Sequence, residues 1–494
     1  MNERKLKICF TSDVHGYFYP TTYGDLEKKP VGLFQCVGGF EKDEDTLIID
    51  GGDMLQGSAF AYYCRQTLRN PEKIAEIMND CGYDFYTLGN HDFNYGQEYQ
   101  AMYRNAHKGQ CVCQNVTDLE GNVLYPYVIH TMKNGLRLGM VGIVTDYINV
   151  WEKEENLVGV RVTDPFEAAQ KAIAELKGKV DLIIGIYHGG FERDLETGEV
   201  VSETTENIGY RLCEELEFDI LLTGHQHMSI EGQYVHGTYV VQPVENAKEY
   251  HYIEVSCNEE GHAISSKRRQ ATSESGQLLE KYMETEQAIQ TWLDQPLGHL
   301  SREIRPDDKI TMALNGSPIA DFLNMVQLHF TDAQLSSVGL ANQITGFAKE
   351  VSVRNIISTY PYPNTLVVCE ITGAQLKRAM ERSAEYFAVD EKGELTVSDS
   401  FLKPKIAHYN YDYYAGVSYE IDPLAPVGAR IKNLCYEGAA VKDEDIFTLC
   451  LNNYRYTGTG GYEVYQECKT VKEINTEMVE LIMEYFNSYP SVTI

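Results

Sequence analysis

The sequence contains no CxxC motif, and its only closely spaced cysteines are Cys111 and Cys113. Zinc knuckles and dithiol redox sites require such a spacing, so the sequence indicates neither. The remaining cysteines are scattered, several of them within apolar runs. This distribution is typical of buried, reduced thiols in a cytosolic protein.

Long apolar segments are also missing, so we predict neither a signal peptide nor a membrane span. We therefore expect a cytoplasmic protein without a membrane partner; if a leader segment had been removed, a secreted or periplasmic location would be expected instead.

Basic residues are few: 42 Lys and Arg face 73 Asp and Glu, for a net charge of −31. Repulsion from the phosphate backbone argues against a nucleic-acid polymer as partner. A small phosphate ester can still bind if metal cations supply local positive charge. We expect a monomer.

The length of 494 residues predicts two or three domains. From Leu6 to about Gln270, short apolar strands alternate with amphipathic helices, which predicts an α/β sandwich buried on both faces. Helices are predicted at 71–81 and 165–177, the second with Asp164 as N-cap. The predicted strands are 7–12, 46–50, 84–88, 138–144, 181–187, 219–223 and 239–243.

Residues 272–292 have the pattern of a polar helix with little apolar face, which predicts an exposed connector. Beyond about Leu300 the pattern becomes α+β, with helices at 318–330 and 373–386 and a strand at 365–371. We therefore predict a first domain over 1–271, a helical linker or hinge over 272–300, and a second domain over 301–494.

Five predicted strands of the first domain end in glycine-flanked clusters of metal-ligand residues. The clusters are Asp13-x-His15, Gly52-Asp53, Asn90-His91-Asp92, His188-Gly189-Gly190 and Gly224-His225-x-His227. Each motif alone is weak, but their joint occurrence at strand ends indicates a metal site. Mixed Asp, Asn and His ligands suit two divalent ions such as Mn, Zn or Fe better than Ca. Such a pair needs a bridging carboxylate, and it can turn a bridging water into a hydroxide that attacks phosphorus in line.

This ordered set of motifs resembles the calcineurin-like dinuclear metallophosphoesterases. The second half of the chain resembles the C-terminal domain of 5′-nucleotidases and 2′,3′-cyclic-nucleotide 2′-phosphodiesterases. The resemblance implies an N-terminal α/β/β/α sandwich with a C-terminal α+β domain of the 5′-nucleotidase type. It also implies that rotation of the two domains about the hinge accompanies turnover.

Roles follow from the resemblance, position by position. Asp13, His15 and His227 would hold one ion; Asn90, His188 and His225 would hold the other; Asp53 would bridge them. His91 would be the imidazole, not a ligand, that stabilises or protonates the leaving oxygen.

Several positions depart from the 5′-nucleotidase pattern. Asn94 stands where that branch has an Asp that orients the catalytic His; an Asn can hold a tautomer but cannot stabilise imidazolium by charge. Residues 90–96 differ from the cyclic-nucleotide branch only at Asp92. Gly460 stands where the 5′ branch has an Asp on the ribose, and residues 340–349 lack that branch's Arg. These departures favour a 2′ or 3′ phosphate ester.

Two tyrosines match the aromatic residues that clamp the base in this family. Tyr362 matches the first and Tyr454 the second, and two facing rings can grip a nucleobase. Asn364, in the same segment as Tyr362, is expected to contact the substrate as well. The segment 409–414 is expected to form a strand and turn that shape the pocket.

We therefore expect a hydrolase of nucleotide phosphate esters, acting on 2′,3′-cyclic nucleotides or 3′-nucleotides. A 5′-nucleotidase or nucleotide-sugar hydrolase is the alternative within the same chemistry. A nucleotide-binding protein with a decayed site is the alternative from another class, although all seven ligand positions carry competent side chains.

Overall fold

The computed structural model describes residues 3–202, 204–258, 261–362, 364–390, 392–403 and 406–494, apart from the side chain of Trp151. The chain divides into two compact units. Unit 1 comprises Met1–Thr22 and Leu26–Ile289, and unit 2 comprises Tyr23–Asp25 and Gln290–Ile494. The division at Ile289 lies inside the segment 272–300; the boundaries of that segment stay a prediction.

Unit 1 alternates strands and helices along most of its length. Its strands are β1 Arg4–Thr11, β2 Thr46–Asp50, β3 Phe85–Tyr86, β4 Gln110–Cys111, β5 Cys113–Thr117, β6 Val123–Tyr125, β7 Val128–Thr131, β8 Arg137–Val144, β9 Arg161–Val162, β10 Leu182–His188, β11 Ile220–Thr223, β12 Ile230–Val235, β13 Thr238–Gln242, β14 Glu249–Asn258 and β15 Gly261–Gln270. Its α-helices are α1 Ala59–Tyr63, α2 Glu72–Cys81, α3 Gly96–Ala106, α4 Ile148–Trp151, α5 Pro165–Leu176, α6 Gly209–Glu215, α7 Gly276–Lys281 and the start of α8, Met283–Leu293.

Two six-stranded sheets form within the described part of unit 1. Their strand orders are β15-β14-β1-β2-β3-β4 and β12-β13-β11-β10-β8-β7, and the central strands of each are parallel. A core between the sheets joins Ile8 and Ile49 of the first to Ile184 and Leu222 of the second. Helices α5 and α6 pack on the other face of the second sheet, against residues such as Ile183. The Asp164 side chain accepts from Glu167 N, as its predicted N-cap role requires.

The strand register brings the carboxyl ends of the parallel strands together. Thr11 of β1 is opposite Asp50 of β2, and Tyr187 of β10 is opposite Thr223 of β11. Each of these strands is followed at once by one of the predicted ligand clusters. The sheets therefore place loops distant in sequence side by side at one edge.

The connector expected to be exposed has a buried apolar stripe. Leu278, Tyr282, Ile289 and Leu293 are each less than a tenth exposed, and the Tyr282 ring stacks on Phe34 at 5.9 Å. These residues recur at intervals of four and seven, so they share one side of the helical segment. The polar residues between them concealed this periodicity, and the expectation of an exposed connector was wrong for these side chains.

Unit 2 has an α+β architecture. Its strands are β16 Pro296–Leu300, β17 Leu335–Gly339, β18 Glu350–Ser352, β19 Leu366–Thr372, β20 Phe387–Val389, β21 Leu395–Val397, β22 Asp412–Ala415, β23 Val417–Ile421, β24 Ile431–Tyr436, β25 Ala439–Ala440, β26 Ile446–Asn452, β27 Lys469–Ile474 and β28 Ser491–Val492. Its α-helices, besides the end of α8, are α9 Lys309–Asn315, α10 Pro318–Thr331, α11 Val353–Thr359, α12 Gly373–Ala384, α13 Asn453–Tyr456 and α14 Met478–Ser488.

A five-stranded sheet, ordered β22-β17-β26-β19-β27 in the described residues, is the centre of unit 2. Its core joins Leu335, Cys369 and Leu449 to Leu376 and Met380 of helix α12. The predicted two-domain α/β fold, with mixed sheets and helices, is confirmed. Among the helices formed by described residues, none has both the length and the apolar character needed to cross a membrane.

Candidate metal centre

Two groups of side chains that can hold a metal ion meet at the carboxyl ends of the unit 1 strands. Asp13, His15 and His227 form the first group, whose ligand atoms lie within 4.8 Å of one another. His15 Nε2 is 3.3 Å from His227 Nε2, which in turn is 3.3 Å from Asp13 Oδ1. The first and last of the predicted strand-end clusters are thus brought together.

Asp53, His188 and His225 form the second group, again with ligand atoms within 4.8 Å of one another. His188 Nε2 lies 3.1 Å from Asp53 Oδ2 and 4.0 Å from Asp13 Oδ1, so the two groups adjoin. The amide oxygen of Asn90 joins this group, 3.1 Å from His188 Nε2 and 2.9 Å from His225 Nδ1.

Hydrogen bonds behind the rings set which nitrogen faces the centre. His15 Nδ1 donates to the carbonyl of Gln56 at 2.9 Å, and His188 Nδ1 donates to the carbonyl of Gly51 at 2.7 Å. His225 Nε2 donates to the Glu206 carboxylate at 2.9 Å. When these rings are neutral, as metal binding requires, the opposite nitrogen of each presents a lone pair to its group.

Converging lone pairs and carboxylate oxygens repel one another unless a positive charge lies among them. Burial lowers the pKa of His15 to about 4, so this ring is neutral near pH 7. Burial alone would lower the pKa of His188, but Asp53 and Asp13 raise it to about 10. A proton thus offsets the acidic groups in the metal-free chain, and a divalent cation fits the same donors.

The backbone at the ligands is held in an uncommon conformation. Five of the predicted ligand residues have φ between 53° and 71°, in the left-handed region: Asp13, His15, Asp53, His225 and His227. For residues other than glycine this conformation costs of order 1–3 kcal/mol each, and it clusters at functional sites. The loops therefore need strong support.

Asp92 supplies much of that support. One carboxylate oxygen accepts from Met54 N at 2.9 Å and Leu55 N at 3.0 Å; the other accepts from Gly89 N at 2.8 Å and Asp53 N at 3.0 Å. The side chain is only 3% exposed. It joins the loops after β2 and β3 and holds the Asp53 backbone in place.

His91 lies beside the two groups without belonging to either. Its backbone N–H donates to Asp53 Oδ1 at 2.7 Å, and its ring centroid is 5.5 Å from that of His15. Its Nδ1 is 2.7 Å from Asn94 Oδ1, the contact expected of an orienting side chain. The Asn94 amide in turn donates to Glu152 at 2.7 Å.

The residues predicted to bind the substrate lie in unit 2. Tyr362 lines a cavity of about 510 Å³ together with Asn342 and His408. Burial, with the nearby hydroxyls of Tyr409 and Tyr454, raises the pKa of Tyr362 to about 12. Tyr454 is the second residue of helix α13 and is 43% exposed, so its ring is accessible.

Asn364, which was expected to contact the substrate, makes hydrogen bonds within unit 2. Its side-chain Nδ2 donates to the hydroxyl of Tyr360 at 3.3 Å, and its backbone carbonyl accepts from Met478 N at 2.9 Å. These contacts stabilise the segment that carries Tyr362. Pro363, between the two, lies outside the described residues.

Gly460 has no room for a side chain. Its φ is +85°, and a Cβ would collide with Asn410 Oδ1 and Arg455 Nη1. Arg455 is buried, pairs with Asp412 at 2.9 Å and donates to the carbonyl of Tyr409 at 2.8 Å. The Asp that the 5′-nucleotidase pattern has at this position does not fit here unless this buried pair moves.

The sequence did not reveal the roles of three carboxylates that hold the candidate metal-binding residues and their neighbours in place. Asp92 was included in the strand-end cluster with Asn90 and His91 and noted as a departure from the cyclic-nucleotide pattern, but its role as the acceptor of four backbone N–H groups was not predicted. Glu206 and Glu152 are acidic residues in loops, Glu152 within a charged run. Nothing in the local sequence distinguishes them from solvated surface residues.

A sandwich of two sheets with paired metal-ligand groups at its strand ends defines the class of dinuclear phosphoesterases. Residues 6–229 match the family model "Calcineurin-like phosphoesterase", and residues 296–467 match "5′-nucleotidase, C-terminal domain". The chain belongs to the calcineurin-like phosphoesterases that carry a 5′-nucleotidase C-terminal domain, a family of phosphoric ester hydrolases with dinuclear divalent metal centres. The resemblance seen in the sequence is confirmed.

Known proteins resemble the chain over nearly its whole length. The crystal structure of a candidate 5′-nucleotidase from Staphylococcus aureus is 32% identical, with a TM-score of 0.74, over 98% of this chain and 97% of that one. The 2′,3′-cyclic-nucleotide 2′-phosphodiesterase/3′-nucleotidase of Haemophilus influenzae is 27% identical over 97% of this chain and 85% of its own length. The trifunctional nucleotide phosphoesterase protein YfkN of Bacillus subtilis is 26% identical over 97% of this chain, which spans 38% of that longer protein.

Proposed function

We propose that the chain hydrolyses nucleotide phosphate esters with two bound divalent cations, and that 2′,3′-cyclic nucleotides and 3′-nucleotides are its preferred substrates. The observation that carries the proposal is the convergence of lone pairs and carboxylate oxygens in two adjoining groups. Such donors suit Mn, Zn or Fe.

The proposed ligand sets follow the two groups. Asp13, His15 and His227 hold one cation; Asn90, His188 and His225 hold the other; Asp53 serves both. Bound cations of this kind lower the pKa of water and neutralise charge on phosphoryl oxygens. The assignment is supported by the ring nitrogens of His15, His188 and His225 that face away from the two groups, because each of them donates to an oxygen acceptor.

The chain's own residues complete the reaction in this proposal. As the oxygen of water bonds to phosphorus and the ester P–O bond breaks, the water releases a proton to solvent and His91 donates the proton on its Nε2 to the leaving oxygen. Asn94 keeps the His91 ring oriented. Tyr362 and Tyr454 stack on the base, each contributing about 1–3 kcal/mol of binding free energy. Asn364 acts indirectly, by fixing the segment of Tyr362.

The domain roles are proposed on the same basis. Residues 1–271 carry the metal centre and residues 301–494 bind the base, with 272–300 as the hinge segment between them in sequence. We also keep a monomer as the expected state.

Two observations favour the 2′ or 3′ ester. Gly460 leaves no room for an Asp that would contact the ribose hydroxyls. The Haemophilus influenzae relative carries the name of such an enzyme. Hydrolysis of 5′-nucleotides is the second candidate, because the 32% identical protein from Staphylococcus aureus is named as a candidate 5′-nucleotidase.

A substrate panel separates the candidates. Purified protein with Mn²⁺ is assayed for phosphate or nucleotide release from 2′,3′-cyclic AMP, 3′-AMP and 5′-AMP, with the His91→Gln variant as control. We expect kcat/KM to be highest for the cyclic or 3′ ester and to fall about 100-fold or more in the variant. Faster hydrolysis of 5′-AMP would refute the proposed preference for 2′,3′-cyclic and 3′ esters but not the proposed metal-dependent hydrolysis of nucleotide esters.

A further inference from the structure

His91, Asn94 and Glu152 form an unbroken chain of hydrogen bonds that leads away from the metal centre. His91 Nδ1 meets Asn94 Oδ1 at 2.7 Å, and Asn94 Nδ2 donates to Glu152 Oε2 at 2.7 Å. Glu152 is 58 positions from Asn94 in the sequence, at the end of helix α4. All three side chains are partly buried.

The direction of the Asn94 amide decides what His91 can do. A side-chain amide can flip by half a turn, which exchanges the positions of its oxygen acceptor and its NH₂ donor. In the turned state its oxygen would face the Glu152 carboxylate, and two acceptors would repel each other. Glu152 therefore selects the state in which the oxygen faces His91. With an acceptor at Nδ1, His91 keeps one proton there, so Nε2 is the nitrogen that takes up a second proton and donates it to the leaving oxygen.

The Glu152 carboxylate is itself held in place. Its Oε1 accepts from Lys153 N at 2.8 Å and from Asn156 Nδ2 at 2.8 Å. Asn156 Nδ2 also donates to the carbonyl of Asn94 at 2.8 Å, which ties the same two segments together. The Glu152 carboxylate that accepts from Asn94 is thus already held in place and does not have to be ordered during turnover.

We propose that Glu152 is a positioning residue that acts on His91 through the amide of Asn94. The inference rests on the proposed function, because it concerns the group proposed to donate to the leaving oxygen. As noted from the sequence, asparagine at position 94 lacks the charge to stabilise imidazolium; the Glu152 carboxylate supplies a negative charge one hydrogen bond further away, and it also fixes the direction of the Asn94 amide.

Kinetics of the Glu152→Ala variant test the role. We expect kcat on 2′,3′-cyclic AMP to fall about 10- to 100-fold, a part of the 10²–10⁴-fold that general acid catalysis contributes, with KM nearly unchanged. The kcat of this variant on phosphate esters of 4-nitrophenol should fall much less, because the nitrophenolate oxygen leaves with little need of protonation. The matched control is Glu155→Ala, which removes an exposed carboxylate three positions away.

A second substitution distinguishes positioning from a structural role. Aspartate at position 94 presents an acceptor to His91 in either rotation, so it does not need Glu152. The double variant Glu152→Ala with Asn94→Asp should therefore recover most of the lost kcat. Equal losses on nucleotide and nitrophenyl esters, or no recovery in the double variant, would overturn the proposal.

Nuclear magnetic resonance of the metal-free protein gives a readout that does not depend on activity. The ¹⁵N shifts of the neutral His91 ring, assigned by their loss in His91→Gln, should show the proton on Nδ1 in the wild type. In Glu152→Ala they should show a mixture of tautomers. Unchanged shifts would refute the inference even if the enzyme lacked nucleotide hydrolysis, whereas inactivity of the wild type with all substrates would refute only the proposed function.

Discussion

Asp92 offers a measure of how strongly the metal loops are supported, through the substitution Asp92→Asn. Each carboxylate oxygen accepts two backbone N–H groups. Whichever way the new amide turns, its NH₂ faces two of the four donors, so two buried hydrogen bonds are lost. Hydrogen bonds to a charged group contribute about 1.5–3 kcal/mol each, so we expect unfolding of unit 1 to become easier by about 3–6 kcal/mol.

Calorimetry of the metal-free protein measures the effect. At about 2–4 °C per kcal/mol for a large domain, the transition of unit 1 should fall by roughly 6–24 °C. Because Asp53 N is one of the donors, Mn²⁺ affinity should fall as well. The matched control is Asp118→Asn, whose carboxylate accepts Glu120 N and Asn122 N in an exposed turn; it should lose less than about 1 kcal/mol.

A transition for Asp92→Asn within about 2 °C of the wild type would refute this reasoning. It would mean that the four N–H groups find other acceptors and that the left-handed backbone of Asp53 does not depend on Asp92.

Other substitutions test the remaining contacts. Glu206→Ala removes the acceptor behind His225, so the affinity for one of two Mn²⁺ ions should fall about 10- to 100-fold by calorimetric titration, while the other ion binds as before. Tyr362→Ala should raise KM for nucleotides about 5- to 150-fold, the equivalent of 1–3 kcal/mol, and leave 4-nitrophenyl esters unaffected in steady-state kinetics. Arg455→Met leaves the Asp412 carboxylate buried without its partner, so urea unfolding of unit 2 should become easier by about 3–5 kcal/mol; an unchanged midpoint would contradict that estimate.

The convergence of the proposed metal ligands was predictable from the sequence because these residues lie at strand ends or directly after them. Parallel strands end at a common edge, so Asp13 after β1 and Asp53 after its neighbour β2 have little freedom to separate. The glycines next to them marked the tight turns. The N-cap of helix α5 at Asp164 and most strand bounds were also predictable, since their signals are local.

The supporting residues were not predictable because their positions depend on the paths of loops. Glu152 accepts from Asn94, and Glu206 accepts from His225, and both lie in segments whose sequences do not specify these contacts. The stripe of Leu278, Tyr282, Ile289 and Leu293 was missed because it is one residue wide and interrupted by charged residues. A strand predicted at 84–88 is shorter in the structure, Phe85–Tyr86, because the chain turns there toward Asn90.

Counting bound cations tests the account most directly. Titration of the metal-free protein with Mn²⁺, followed by calorimetry and by elemental analysis after gel filtration, should give two ions per chain. The Asp53→Ala variant should retain at most one, weakly bound, since Asp53 is proposed to serve both ions. One ion or none in the wild type, or two tightly bound ions in Asp53→Ala, would contradict the account.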